Sequence, residues 1–220
     1  MNDGLPPWLQ PLAAAAAAVR PDDLRLLTAP PGVGRPSAVL VLFGDGEQGP
    51  DLLLIERAAD LRKHAGQPAF PGGAVDPEDD GPVAAALREA AEEVGLAPAD
   101  VTVFGTLPTL YIPPTGFTVT PVLAWWHEPG HVHAVDATEV AAVERIPVAE
   151  LADPANRVMV RTLSGYVGPG FRVRGLTVWG FTGSVVDALL ELGGWAVPWE
   201  PAAVLDRPGP PPVPETEEVR

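Results

Sequence analysis

Cysteine is absent from the 220 residues, which excludes disulfides, thiolate zinc sites and a cysteine nucleophile. Lysine is almost absent, Lys63 standing alone. The net charge of −15 argues against a nucleic-acid-binding face, because such faces are basic. Long hydrophobic runs are missing too. Hydrophobic residues make up 46% of the chain, yet no run approaches the roughly 18 residues that a membrane span requires. No basic segment leads into an apolar stretch near Met1, and the alanine run 13–18 is too short and weakly apolar to replace one, so no signal peptide is expected. These absences point to a cytoplasmic protein with neither membrane nor nucleic acid as partner.

What is present reads as one domain with extensions, long enough to bury a substantial core. Residues 1–36 hold an alanine-rich helix, Leu5 to Val19, and a Pro/Gly-punctuated approach. Its Trp8 and Leu9 are expected to dock on the domain, which runs from 37 to 200. Ser37 to Phe43 is a continuous apolar run and suits a buried central strand. Asp51 to Glu56 follows a turn and makes a hairpin with it. Further strands are expected at 101–107, 117–126, 139–146 and 171–178, with a loop at 109–116 and a short helix after Pro147. Thr182 is placed to cap a helix over 184–192. Residues 201–220 are Pro-rich and acidic and suit a disordered tail. His131 and His133 sit at i, i+2 within an exposed Pro/Gly connection, where a metal pair is conceivable and plain solvation is the simpler reading.

The chemistry concentrates between Arg57 and Leu96. Pro82 suits a first helical turn, Val83 to Leu87 continues it, and Gly95 stops it. On that helix Glu89, Glu92 and Glu93 share one face, with Glu89 directly above Glu93. Like charges so placed repel. A solvated acidic face tolerates this. So does a hard divalent cation such as Mg²⁺ or Mn²⁺, which takes oxygen ligands and commonly meets phosphate as well. The upstream residues favour the cation. Arg57, Arg62, Lys63 and His64 crowd just before the turn Phe70-Pro71-Gly72-Gly73. In a chain that repels anions at long range, this is a local place for one.

Gly73 followed by Arg88-Glu89-x-x-Glu92-Glu93-x-Gly95-Leu96 resembles the Nudix box, the loop–helix–loop motif of a superfamily of diphosphate hydrolases. The interval from Gly73 to Arg88 is one residue longer than the general box. The box's first glutamate is replaced by an acidic patch, Asp76, Glu78, Asp79 and Asp80. The longer loop is similar to that of the coenzyme A pyrophosphatase branch. So is the upstream pattern Leu53-Leu54-Ile55-Glu56-Arg57-Ala58, Arg62, Gly66 and Phe70 to Gly73, in which Ile55 and Ala58 replace a threonine and a serine. Trp179-Gly180-Phe181-Thr182 is similar to a turn of the same branch.

The resemblance implies an α/β fold, the Nudix α/β/α sandwich with a mixed β-sheet. It implies metal ligation by the Gly73 carbonyl with Glu89, Glu92 and Glu93, and Mg²⁺ or Mn²⁺ as cofactor. Arg88 would pair with a neighbouring box carboxylate and orient it. Glu92 or Glu139 would act as base, with Asp136 and Glu144 behind Glu139. Substrate contacts would come from Arg57, Arg62, His64 and Phe70. The implied reaction cleaves the diphosphate of coenzyme A or acyl-coenzyme A to 3′,5′-ADP and (acyl-)4′-phosphopantetheine. Alternatives are hydrolysis of ADP-ribose or NADH, or a non-catalytic nucleotide-binding module. A homodimer is an arrangement the family allows.

Overall fold

The computed structural model describes residues 4–24, 32–58, 66–113, 115–162, 165–201 and 204–206. In chain order these form α1 (Gln10–Ala18), β1 (Arg35–Gly46), β2 (Gly49–Arg57), β3 (Pro68–Ala69), β4 (Gly72–Ala74) and α2 (Gly81–Val94). There follow β5 (Val101–Thr106), β6 (Leu110–Ile112), β7 (Phe117–Trp126), β8 (Val140–Pro147) and α3 (Val148–Ala152). The last elements are β9 (Arg157–Arg161), β10 (Val167–Val173), β11 (Leu176–Val178), α4 (Gly180–Leu192) and β12 (Val204–Asp206).

The main sheet runs β3-β2-β1-β7-β5, with β4 on β1, β6 on β7 and β8 on β2. Its centre is parallel, β1 on β7 from Arg35↔Phe117 to Phe43↔Trp125, and the flanking pairs are antiparallel. The continuous apolar run of β1 has its cause here, since both faces are covered. Alternate residues Ala38, Leu40 and Leu42 join Leu53, Ile55, Val122 and Ala124 beneath Ala86, Ala90 and Val94 of α2. The residues between them, Val41 and Phe43, join Leu52, Leu54 and Leu123 against α1, α3 and α4. The sheet therefore lies between two helical layers, the expected sandwich.

Several elements differ from the sequence reading. Residues 171–178 are two strands, because Arg174 and Gly175 take φ of 51° and 80° and turn the chain back as a hairpin, Val173↔Leu176. The expected loop 109–116 contains β6, paired Leu110↔Val119. Helix α4 starts four residues before the expected 184: the Gly183 N–H already donates to the Trp179 carbonyl, so Thr182 is inside the helix and does not cap it. Of the expected tail, Val204–Asp206 pairs in parallel with β9; residues 207–220 lie outside the described residues. Helix α1 is shorter than expected, beginning after Pro6 and Pro7 with Pro11 in its first turn. Leu9 and Leu12 are fully buried in the α4-side core, and Trp8 packs edge-on to Trp125 at 5.5 Å. Helix α1 and the domain thus share one core.

Candidate active site

Strand β1 divides one edge between two partners. Phe43–Gly46 pair with β2, while Ser37–Val39 pair with Ala74–Gly72 of β4. The glycine turn is thereby fixed beside the sheet centre and under α2. Helix α2 forms where expected, with proline in its first turn and Gly95 in the left-handed conformation as its stop.

Glu93, on the last turn of α2, points inward and is 7% exposed. Its Oε2 accepts the Gly72 N–H at 2.9 Å, and its Oε1 faces Arg57 Nη1 at 3.7 Å. Burial pushes the carboxyl up to about 7, helped by the charges of Glu89 and Glu139 and opposed by Gly72 and Arg57. Glu89, one turn earlier, is pushed up by burial as well, against the pull of Arg88. Its carboxylate lies over Gly73 so closely that a Cβ there would fall 2.6 Å from Oε2. Only glycine admits this approach of carboxylate and backbone.

Arg88 organises the remaining acids. Its guanidinium forks onto Asp79, Nε to Oδ1 at 3.0 Å and Nη2 to Oδ2 at 2.9 Å. It also donates to Glu89 Oε1 at 3.0 Å, Glu92 Oε2 at 3.1 Å and the Ala74 carbonyl at 3.1 Å. Asp79 in turn accepts the Asp76 N–H at 2.8 Å, and Arg88 holds its carboxyl below the usual carboxylate value. One bidentate pair so locks the loop to the helix. Of the four acids in the patch, Asp79 is the one that takes the fork of Arg88, a choice the spacing alone left open.

Arg57 belongs to the α2 side of β2, in alternation with Leu53 and Ile55. Its backbone is clamped: its N–H donates to Gln67 and its carbonyl accepts from Gly66 at 2.9 Å. A β-bulge lies beside it, where Glu56 pairs with Ala142 but Arg57 with Val140, and bulges of this kind re-aim side chains. Arg62 and His64, with Lys63, lie outside the described residues.

The segment 131–139 straps the C-terminal end of α2. His133 and Val135 N–H groups donate to the Val94 and Glu93 carbonyls. The Glu139 carbonyl accepts the Ala58 N–H at 2.9 Å, and its exposed side chain is near enough to raise Glu93. Asp136 accepts from the Thr138 backbone and hydroxyl, a local turn. The His131 and His133 rings stack at 5.7 Å. Phe70 is 2% exposed and packs on the α1/α4 side of the sheet.

Among the described residues, no three acidic or histidine side chains converge as a ready metal cage; arginines face the acids instead. The donor set nonetheless suits a hard divalent cation. Glu89 and Glu93 are both pushed towards protonation at a side-chain-free backbone turn, and a cation held by oxygen would relieve them.

A carboxylate-bearing loop–helix–loop, docked on the centre of a mixed sheet between helical layers, defines the class of protein. A family model described as the NUDIX domain matches residues 34–163, more than half of the chain, and the chain belongs to the Nudix family. Relatives include the uncharacterized Nudix hydrolase NudL of Citrobacter koseri, 54% identical over 101 residues, or 46% of this chain and 52% of NudL. The NudL of Enterobacter sp. is 50% identical over 116 residues, 53% of this chain and 59% of that one. The chain thus spans about half the length of the curated relatives it matches. Among solved structures, the Nudix hydrolase RenU of M. smegmatis aligns with a TM-score of 0.53 at 23% identity, covering 75% of this chain and 96% of RenU; this is a likeness of fold.

Proposed function

We propose that the chain is a metal-dependent hydrolase that cleaves the diphosphate of coenzyme A or acyl-coenzyme A to 3′,5′-ADP and (acyl-)4′-phosphopantetheine. The observation that carries the hydrolytic reading is the Glu93–Glu89–Gly73 arrangement: two buried-side carboxylates on adjacent helical turns, against a backbone turn with no side chain. The substrate reading rests on the upstream pattern from Leu53 to Gly73.

The Gly73 carbonyl, Glu89 and Glu93, with Glu92 beside them, would hold Mg²⁺ or Mn²⁺, whose part is to polarise phosphoryl oxygen and acidify water. The chain's own residues do the rest. Arg88, anchored on Asp79, fixes the Glu89 and Glu92 carboxylates. Arg57 and Arg62 would offer guanidinium forks to phosphate oxygens, and His64 belongs to the same basic stretch of sequence. Glu92 or Glu139, both solvent-facing, accepts the proton of the attacking water. As the new P–O bond forms, the bridging P–O bond breaks and the charge leaves on the departing phosphate.

The test is a panel of coenzyme A, an acyl-coenzyme A, ADP-ribose and NADH. Each is incubated with Mg²⁺ or Mn²⁺ and again with chelator, with products resolved by mass. Metal-dependent 3′,5′-ADP from coenzyme A well above turnover of the others is the expected result. Preference for ADP-ribose or NADH would replace the substrate, and binding without turnover would replace the chemistry.

A further inference from the structure

Arg57 and Glu93 meet although the first was expected on phosphate and the second on metal. The Glu93 carboxylate has one oxygen on the Gly72 N–H and the other on Arg57, so the guanidinium stands where positive charge is wanted. Arg57 has little freedom in its backbone, being held by Gly66 and Gln67 on one side and β8 on the other. Its side chain is still 30% exposed, so its tip is free to change partner while its root stays. The same residue opens the basic stretch 57–64.

We propose that Arg57 is the resident counter-cation of Glu93, a positioning residue that the metal displaces and the diphosphate then captures. The proposal rests on the metal-dependent diphosphatase reading and adds an exchange to it. With metal on Glu93 and no nucleotide, the freed guanidinium and the cation would repel each other. An incoming phosphate takes up the guanidinium and removes that repulsion. Metal and nucleotide binding are therefore coupled through Arg57, and the coupling is reciprocal.

The experiment measures Mn²⁺ affinity of the full chain by calorimetry and by the loss of free Mn²⁺ spin-resonance signal. It uses wild type, Arg57→Gln, Arg57→Lys, Arg20→Gln and Glu93→Gln, with and without a methylene-bridged ADP analogue. Without nucleotide, Arg57→Gln is expected to bind Mn²⁺ roughly tenfold more tightly, the scale of one unit charge acting over a short, partly solvated distance. Arg57→Lys keeps the charge and is expected to stay near wild type. Arg20, 79% exposed just beyond α1, is the control for net charge, and Arg20→Gln leaves the affinity unchanged. The analogue is expected to tighten Mn²⁺ more in wild type than in Arg57→Gln. An Arg57→Gln affinity equal to or weaker than wild type, or an equal gain from the analogue in both, overturns the exchange and leaves the metal reading standing. Mn²⁺ binding that Glu93→Gln does not weaken removes the metal reading and the exchange with it.

Discussion

Glu93→Gln is expected to make the metal-free protein more stable while abolishing its metal-dependent activity. The carboxyl rises from its ordinary 4.5 to about 7, and at about 1.4 kcal/mol per pH unit this places the net cost of the buried charge at about 3.5 kcal/mol. The amide keeps an oxygen for the Gly72 N–H and removes the charge. The sign follows from proton linkage. Between pH 4.5 and about 7 the folded protein holds a proton here that the unfolded chain releases, so this group's contribution to stability falls as pH rises through that window. The variant's advantage is therefore expected to be near zero at pH 4.5 and complete by pH 8. For a chain of this length it corresponds to a midpoint shift of roughly 7–14 °C. Thermal or urea unfolding in chelator at several pH values measures it. Mn²⁺ at a thousandfold excess over Kd then reverses the order, since about 4.1 kcal/mol accrues to wild type and none to the variant. Turnover of the variant is expected to fall by several orders of magnitude with the far-ultraviolet spectrum intact. Equal stability of the two proteins at pH 8 in chelator, or a gap that persists at pH 4.5, would refute the reasoning.

Asp79→Asn is expected to lower turnover about 10–100-fold, the usual effect of loosening a group that orients a ligand. Glu78→Gln and Asp80→Asn, both exposed, are expected to match wild type in the same kinetic assay. Gly73→Ala sets a methyl against the Glu89 carboxylate and is expected to lose about a hundredfold in turnover through misplacement, with weakened Mn²⁺ binding as the second readout. Phe70→Ala is expected to cost about 3–5 kcal/mol in urea unfolding, as for an emptied core site, whereas Phe70→Leu should leave KM unchanged. A raised KM in Phe70→Leu would return the ring to the substrate site.

The sequence shows most of the sandwich because its strong signals are local. The apolar run of β1 is double-sided burial written in composition, and Pro82 and Gly95 bracket α2 through φ preferences that need no tertiary partner. The errors lie where the fold decides. Val173 and Leu176 read as one strand because Arg174, unlike Gly175, carries no turn signature and takes positive φ only under the pull of the hairpin. Thr182 looks like a cap until the Trp179 carbonyl is seen to have taken the first helical bond. The burial of Phe70 in the α1/α4-side core is likewise a tertiary property that the local motif does not show.

The candidate site divides in the same way. Glu89 and Glu93 are legible because helical spacing alone puts them on one face, and repulsion between them already asks for a cation. Which acid anchors Arg88 is not legible, because Asp76, Glu78, Asp79 and Asp80 differ only in a loop geometry that the chain's extra residue alters. The Arg57–Glu93 contact is hidden for another reason. It joins the end of β2 to the end of α2, 36 positions apart, through the edge that β1 shares between β2 and β4. That shared edge brings the arginine at the end of the strand to the helix carboxylate. The Glu93 charge is thus balanced within the protein, and the proposed exchange alters that balance when metal and diphosphate arrive together.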